Sequence, residues 1–178
     1  IRNNSNLLLK LINDILDISR IESGKTEFEY TSESLETLFD ELYQSARIAA
    51  QEKKLEVRLE KKGTDVRIRI DRARVTQIIM NFVNNAVKFT SEGAITLGYR
   101  PRLDGKGVYF YVRDTGPGIS EYDRTRVFHR FVKLDDFAQG TGLGLSICET
   151  LVKKMDGHIG VISAPGEGSE FWFTLPFK

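Results

Sequence analysis

The stretch Gln77–Thr90, QIIMNFVNNAVKFT, decides the fold because it places amide side chains within an apolar helical pattern. If the stretch is one helix, the spacing i, i+4, i+7 and i+8 puts four side chains on one face. Those four are Asn81, Asn85, Lys88 and Phe89. The apolar residues around them predict a buried helix, and a buried amide needs a hydrogen-bond partner. The asparagines therefore either satisfy the backbone of the fold or are held for a ligand, and this stretch alone leaves both readings open.

The composition limits the class of protein. The chain has 178 residues, of which 40% are hydrophobic and 29% are charged, enough to fill the core of one domain with an appended element. A net charge of +1 gives no reason to expect nucleic acid or an anionic membrane as a partner. Cys148 is the single cysteine, which excludes an intrachain disulfide and favours a reducing compartment. The chain starts within a helical pattern and without methionine, so we expect it to be a piece of a longer protein.

The N-terminal segment is predicted to be a separate helical unit, residues 1–24. Apolar residues in 1–21 follow alternating three- and four-residue steps, which is typical of a coiled-coil or bundle seam. We interpret the unit as half of a dimerising helical hairpin; the alternative is an amphipathic helix packed on the downstream domain. Residues 25–33 are predicted to be a linker, and residues 34–178 the main domain.

The main domain mixes helices and strands. A helix is predicted from Ser34 to about Lys54, and Asp71 is expected to cap the start of the asparagine helix. Gly63 is expected in a turn between the first two predicted strands, and another helix is expected after Gly144. Strands are predicted at 55–60, 66–70, 94–99, 108–113, 158–163 and 170–175.

Two glycine-containing loops are candidate ligand sites. Asp114–Ile119, DTGPGI, follows a strand, and its glycines let the backbone turn sharply and approach a ligand. Asp114 then either accepts a hydrogen bond from an amino group of a ligand or caps the helix near Ser120. The second loop, Gly140–Ser146, opens a helix with glycine at every second position, where free amides can bind an anion.

In this order, the asparagine helix, DTGPG, the paired phenylalanines Phe128 and Phe131, and GTGLGLS resemble the ATP-binding catalytic domain of sensor histidine kinases. The resemblance covers about residues 34–178, and residues 1–24 resemble the second helix of the family's dimerisation and phosphoacceptor hairpin. It implies an α/β sandwich, in which a mixed, mostly antiparallel sheet packs on three main helices. It also implies that ATP lies between the asparagine helix and the glycine-rich lid.

The resemblance assigns roles on the asparagine helix. Asn85 is expected to bind Mg²⁺, with Asn81 supporting it one turn earlier, and one amide oxygen suits an ion that keeps most of its waters. Lys88 is expected to neutralise phosphate and Phe89 to pack against adenine. Related ATPases of the family carry a glutamate that activates water where this chain has Asn81. Because an amide cannot accept that proton, we expect phosphoryl transfer to a protein acceptor rather than rapid hydrolysis.

The resemblance also assigns roles in the two loops. Asp114 is expected to accept from the adenine amino group, in a pocket shaped by Gly116, Gly118 and Ile119. Phe128 and Phe131 are expected to anchor the lid. The lid residues expected to close over the triphosphate are Gly140, Thr141, Gly142, Leu143 and Gly144.

The implied partners are a phosphoacceptor hairpin, a response-regulator receiver domain and a second copy of the chain, in a cytoplasmic setting. Neither His129 nor His158 lies in an acceptor motif, so we expect the phosphorylated histidine outside this chain. Two alternatives stay open. One is a stand-alone ATPase of the wider superfamily, and the other is a non-catalytic nucleotide-sensing or dimerisation module.

Overall fold

The centre of the computed structural model, which describes residues 2–132 and 142–177, is a five-stranded sheet covered by helices. The strands of this sheet lie in the order β2-β4-β5-β7-β6. A separate two-stranded sheet pairs β1 with β3. The helices are α1 (Arg2–Glu22), α2 (Leu35–Ala50), α3 (Arg72–Phe89), α4 (Glu121–Arg124) and α5 (Gly144–Lys154). The strands are β1 (Thr31–Ser34), β2 (Glu56–Lys61), β3 (Arg67–Ile70), β4 (Ala94–Pro101), β5 (Gly107–Asp114), β6 (His158–Ser163) and β7 (Ser169–Pro176).

The predicted sandwich is confirmed. Within the main sheet β2 and β4 run parallel, whereas the other neighbouring strands are antiparallel. Alternate residues of the central strands, such as Phe110 of β5 and Phe173 of β7, point into a core shared with α2, α3 and α5, and their rings stack at 4.7 Å. Burial of these aromatic rings is a major source of stability for the sandwich.

The asparagine helix α3 is fixed at both ends by side chains. Asp71 accepts from the backbone N–H of Arg74 at 3.1 Å, as predicted for the N-cap, and also from that of Glu29 at 3.0 Å. At the other end the ammonium of Lys53 donates to the carbonyls of Val87 at 2.6 Å and Lys88 at 3.0 Å, where a cation complements the helix dipole. The apolar face of the helix is buried in the core: Val75, Ile78, Ile79, Phe82, Val83 and Ala86.

The strands on either side of Gly63 do not belong to the same sheet. β3 pairs antiparallel with β1, in which Thr31 lies opposite Ile70, and β2 pairs parallel with β4. Alternation of apolar and charged residues predicts which face of a strand is buried and does not identify its neighbour. β1 also occupies the end of the predicted linker 25–33, because its polar sequence TSES forms a strand only through pairing with β3.

The two ends of α1 have different surroundings. Near its C-terminal end, Ile18 and Ile21 are buried and belong to the main core, where α1 packs on α5. Farther toward its N-terminal end, side chains such as Leu8 and Ile12 remain exposed, by 58% and 46%. The C-terminal end of the helix therefore packs on the downstream domain, whereas the interpretation of residues 1–24 as half of a dimerising hairpin stays a prediction. No described helix combines the length and the apolar character that crossing a membrane requires.

Candidate functional site

A cavity of about 340 Å³ lies between the end of α3, the end of β5, the following loop and the start of β7. It brings together five of the residues predicted from sequence: Asn85, Phe89, Asp114, Gly118 and Ile119. Its remaining lining comes from residues that sequence reasoning did not assign to the site: Pro117, Ser120, Asp123, Ser169 and Phe171.

Asp114 is the buried acid of the cavity. It is the last residue of β5 and only 8% of its surface is exposed. Burial raises the pKa of its carboxyl group, although hydrogen bonds from the backbone N–H groups of Gly116 and Ser169 partly offset this effect. Within the described residues no cation forms an ion pair with Asp114. A buried carboxylate at a cavity wall, without a cationic partner, is suited to accept hydrogen bonds from a ligand.

The loop after Asp114 is held against the β6–β7 turn. Gly118 has a positive φ of 76°, and a Cβ at this position would lie 2.0 Å from the carbonyl oxygen of Ala164. The next residue, Ile119, donates its N–H to the hydroxyl of Ser163 at 2.7 Å. Only glycine fits this approach, which explains the second glycine of DTGPG.

The helix after this loop has its own cap. The hydroxyl of Ser120 accepts from the N–H of Asp123 at 3.2 Å, so Asp114 does not cap α4. The capping interpretation of Asp114 is therefore wrong, and its carboxylate remains available to the cavity.

The two asparagines that share a face of α3 have different environments. Asn85 is half-buried and lines the cavity. Asn81 donates its amide N–H to the carbonyl of Gly144 at 3.3 Å and to the sulfur of Cys148 at 3.4 Å. Burial raises the pKa of the Cys148 thiol to about 12, so this thiol is neutral. In this structure Asn81 therefore joins α3 to the start of α5, and its predicted support of Asn85 stays a prediction.

Lys88 and Phe89 end the polar face of α3. The Lys88 ammonium lies 5.5 Å from the centre of the Phe89 ring, within the range of a cation–π interaction. Phe89 lines the cavity, whereas Lys88 is half-buried beside it. The apolar ring is placed to pack against a flat ligand, and the predicted contact of Lys88 with phosphate stays a prediction.

The described part of the lid begins at Gly142, since Gly140 and Thr141 lie outside the described residues. The carbonyl of Gly142 accepts from the N–H of Phe131 at 2.8 Å, although the Phe131 side chain is 60% exposed. Phe131 thus holds the end of the lid through its backbone. Leu143 is 1% exposed, so its side chain belongs to the core and only its backbone can reach a ligand.

Phe128 acts through its ring. Its centre lies 6.2 Å from that of Phe171, edge to face, and Phe171 lines the cavity. The segment predicted to anchor the lid therefore also supports the cavity wall. Phe171 and Ser169 both lie on β7, and Ser169 pairs directly with Asp114 in the sheet. The pairing register, which the sequence alone does not give, is what places Ser169 at the cavity.

A family model described as "Histidine kinase-, DNA gyrase B-, and HSP90-like ATPase" matches residues 70–178. Sensor protein GacS of Pseudomonas syringae pv. syringae is 40% identical over 178 residues, covering 94% of this chain and 19% of the relative. Sensor histidine kinase RcsC of Escherichia coli K12 is 38% identical over 179 residues, covering 98% and 19%. The chain thus spans about a fifth of the length of these curated relatives.

Solved structures are also similar to the chain. Full-length ShkA in complex with AMPPNP superposes with a TM-score of 0.89 and 37% identity, over 99% of this chain and 37% of that chain. The catalytic domain of the histidine kinase ThkA gives a TM-score of 0.73 and 28% identity, over 84% and 97%. The chain therefore belongs to the histidine kinase-, DNA gyrase B- and HSP90-like ATPase family, in which it corresponds to the ATP-binding catalytic domain of sensor histidine kinases.

Proposed function

We propose that this chain holds Mg-ATP and positions its γ-phosphoryl group for transfer to a histidine on a phosphoacceptor hairpin. The observation that carries the proposal is the buried Asp114 carboxylate in a cavity that also contains Phe89 and Asn85. An acid, an aromatic ring and an amide in one cavity match the amino group, the flat base and the metal–phosphate end of Mg-ATP.

The base end of ATP fits the cavity. The cavity volume of about 340 Å³ is at the lower end of the range of small-molecule sites, roughly 300–1,000 Å³, so the cavity suits part of the nucleotide. Asp114 would accept from the amino group of adenine, and Phe89 and Ile119 would pack against the ring. The phosphates would extend along α3 toward the start of α5, where helix N–H groups favour an anion.

The polar end of the site suits magnesium. Among the described residues no group of three or more His, Cys, Asp or Glu side chains could enclose a metal ion. Mg²⁺ commonly takes only one or two protein ligands beside phosphate oxygens and waters, and the amide oxygen of Asn85 would supply one. When bound, the ion would neutralise charge on the phosphates. Lys88, one turn further along α3, would add a second positive charge.

The chain's own groups favour transfer over hydrolysis. Asn81 donates its amide N–H to α5 and has no basic group that could activate water. The carboxylates that line the cavity are Asp114 and Asp123, and Asp114 is assigned to the base of the nucleotide. Phosphoryl transfer needs the phosphate and its acceptor to be aligned more than it needs a strong base on the protein. The histidine of the acceptor would be the nucleophile.

The partners follow from this function. The phosphoacceptor hairpin would supply the histidine, and a response-regulator receiver domain would take the phosphoryl group from it. The exposed apolar residues of α1 would meet another helix of the hairpin or a second copy of the chain, in the cytoplasm. These residues are Leu8, Leu9, Ile12, Ile15 and Leu16.

The test is phosphoryl transfer from ATP labelled on its γ-phosphate to a helical hairpin that carries a phosphoacceptor histidine. We expect acid-labile label on the hairpin with the parent chain, and at least a hundredfold slower transfer with Asn85→Ala, since loss of a metal ligand removes about 3 kcal/mol or more of transition-state stabilisation. Asn84→Ala is the matched control, because Asn84 is exposed on the same helix. Undiminished transfer by Asn85→Ala would refute the metal assignment.

The alternatives predict other results. Steady release of phosphate to water without labelled hairpin would favour a stand-alone ATPase. An increase in melting temperature with Mg-ATP but no labelled hairpin and no released phosphate would favour a non-catalytic nucleotide-sensing module, and absence of any increase would favour a dimerisation module, because a ligand that binds the folded state must stabilise it.

A further inference from the structure

The carbonyl end of α3 is held by a lysine from another part of the chain. The ammonium of Lys53 donates to the carbonyls of Val87 at 2.6 Å and Lys88 at 3.0 Å, in the last turn of the helix. It also donates to the carbonyl of Thr90 at 3.4 Å, just beyond the helix. An ammonium has three N–H donors, so these contacts use all of them. Thr90 is extended rather than left-handed, so Lys53 satisfies carbonyls that a left-handed residue often satisfies at a helix end.

These contacts restrain the backbone on both sides of Lys88. The Val87 carbonyl belongs to the peptide unit before the Cα of Lys88, and the Lys88 carbonyl belongs to the unit after it. Because a peptide unit is planar, a hydrogen bond to its oxygen restrains the whole unit. With both units restrained, Lys53 fixes the direction in which the Lys88 side chain leaves the helix. That side chain lies beside Phe89, which lines the cavity.

The turn that carries Lys53 is itself anchored beside the end of α3. Lys53 ends a short 3-10 turn after α2, and the next residue, Lys54, has a φ of 56°. This left-handed conformation is costly for a residue other than glycine, and such strain is commonly found where a side chain must be placed for function. The N–H of Glu56 then donates to the carbonyl of Gly93 at 3.0 Å, which joins the turn to the segment that follows α3.

We propose that Lys53 is a positioning residue for phosphate binding, which holds Lys88 in the orientation that lets its ammonium contact the phosphates of the nucleotide. The inference rests on the proposed function, in which Lys88 adds a positive charge at the phosphates. The bonds of Lys53 go to backbone carbonyls, and no described acid forms an ion pair with it. Lys53 therefore acts through α3 and not on the nucleotide directly.

The test compares binding of Mg-ATP, measured by calorimetry, with binding of adenosine, measured by competition against labelled ATP. Lys53→Met removes the ammonium and keeps a long side chain. We expect it to weaken Mg-ATP binding about five- to tenfold, the size of one hydrogen bond, and adenosine binding less than about twofold, because adenosine has no phosphate for Lys88 to contact. Lys54→Met is the matched control. It removes the same charge from the neighbouring exposed residue and should bind both ligands like the parent chain.

A double-mutant cycle tests whether Lys53 acts through Lys88. Lys88→Met should itself weaken Mg-ATP binding, because it removes the side chain that contacts phosphate. In that background Lys53→Met should weaken binding by less than about a further twofold, since the side chain that it orients is already absent. A second loss as large as that in the parent chain would overturn the proposal.

Chemical rescue separates the ammonium from other effects of substitution. Lys53→Cys can be alkylated with 2-bromoethylamine, which restores an ammonium at nearly the length of lysine, or with 2-bromoethanol, which adds a neutral hydroxyl group of similar length. Cys148 is buried, so its thiol is protected in the folded chain. We expect the aminoethyl product to bind Mg-ATP within about twofold of the parent and the hydroxyethyl product to bind like Lys53→Met. Equal affinities of the two products would overturn the role of the ammonium.

The remaining outcomes are distinct. Equal losses of Mg-ATP and adenosine affinity in Lys53→Met, or no loss of either, would overturn the positioning role while the proposed function stands. Unchanged Mg-ATP affinity in Lys88→Met would overturn the phosphate contact of Lys88 and this inference with it. Failure of the parent chain to bind Mg-ATP would overturn the proposed function as well. Melting temperatures without nucleotide establish that each variant is folded before its affinity is measured.

Discussion

Replacing Asp114 by asparagine should weaken ATP binding and at the same time stabilise the chain without nucleotide. The Asp114 carboxylate accepts from the N–H groups of Gly116, at 2.9 Å to Oδ1, and of Ser169, and the Gly116 bond would hold the amide oxygen of the new side chain in the same place. The NH₂ group would then take the position of the second carboxylate oxygen. It would face the amino group of adenine, so that two donors oppose each other.

The size of the loss follows from that geometry. A hydrogen bond to a charged group contributes about 1.5–3 kcal/mol, and the substitution removes it without replacing the acceptor. ATP binding should therefore weaken by about ten- to a hundredfold. GTP should lose less or gain, because the new NH₂ group can donate to the carbonyl of guanine.

The stability effect has the opposite sign. Burial raises the pKa of Asp114 in the folded chain above the ordinary value of 3.8, so the folded state holds its proton to higher pH than the unfolded state does. The stability that this proton provides is lost as the pH rises from the ordinary value through the raised pKa. At neutral pH the ionised Asp114 therefore destabilises the fold, and a neutral asparagine removes this penalty.

The assay combines calorimetric titration of ATP and GTP with urea unfolding of the nucleotide-free chain at neutral and acidic pH. We expect the unfolding free energy of Asp114→Asn to exceed that of the parent at neutral pH and the difference to shrink in acid. Asp104→Asn is the control, since Asp104 is exposed in the β4–β5 turn. Unchanged ATP affinity, or lower stability at neutral pH, would refute the role of Asp114 as a buried ionised acceptor.

Two further predictions concern packing, and both are measured by urea unfolding. Gly118→Ala should cost about 3 kcal/mol or more, because its Cβ would lie 2.0 Å from the Ala164 carbonyl, whereas Gly166→Ala, with a similar φ of 80° and nothing within 4 Å, should cost only about 1 kcal/mol. Similar losses for both would show that the backbone conformation alone matters. Ile21→Ala, at a side chain only 1% exposed, should cost about 2–4 kcal/mol, and Ile12→Ala, at one 46% exposed, less than about 1 kcal/mol. Equal losses of unfolding free energy for Ile21→Ala and Ile12→Ala would contradict the packing of only the C-terminal end of α1 on the domain.

Local sequence signals predicted which helix carries the site asparagines but not what surrounds each of them. The helical period correctly placed Asn81 and Asn85 on one face of α3. One turn of helix, about 5.4 Å, separates them, and this is enough to put Asn85 in the cavity and Asn81 against Gly144 of α5. Periodicity defines a face, whereas the element that covers each part of the face depends on packing with the rest of the chain.

Strand pairing was the second feature that the sequence did not predict. The strand positions followed from alternation, but β1 has the polar sequence TSES and exists only through its pairing with β3. Ser169 entered the cavity for the same reason, because the register of β5 and β7 places it opposite Asp114. Pairing between strands that are distant in sequence leaves no local pattern, so neither feature was accessible from the residues themselves.

The C-terminal end of α1 contacts the main domain through polar side chains as well as through the core. Asp17 accepts from the amide of Gln77 at 3.2 Å, near the start of α3, and Glu22 forms an ion pair with Arg130. Arg130 directly precedes Phe131, whose N–H holds Gly142 at the end of the lid. The last turns of α1 thus contact α3 and the segment that precedes the lid. Displacing this end of α1 must therefore break contacts with α3 and with the segment that precedes the lid.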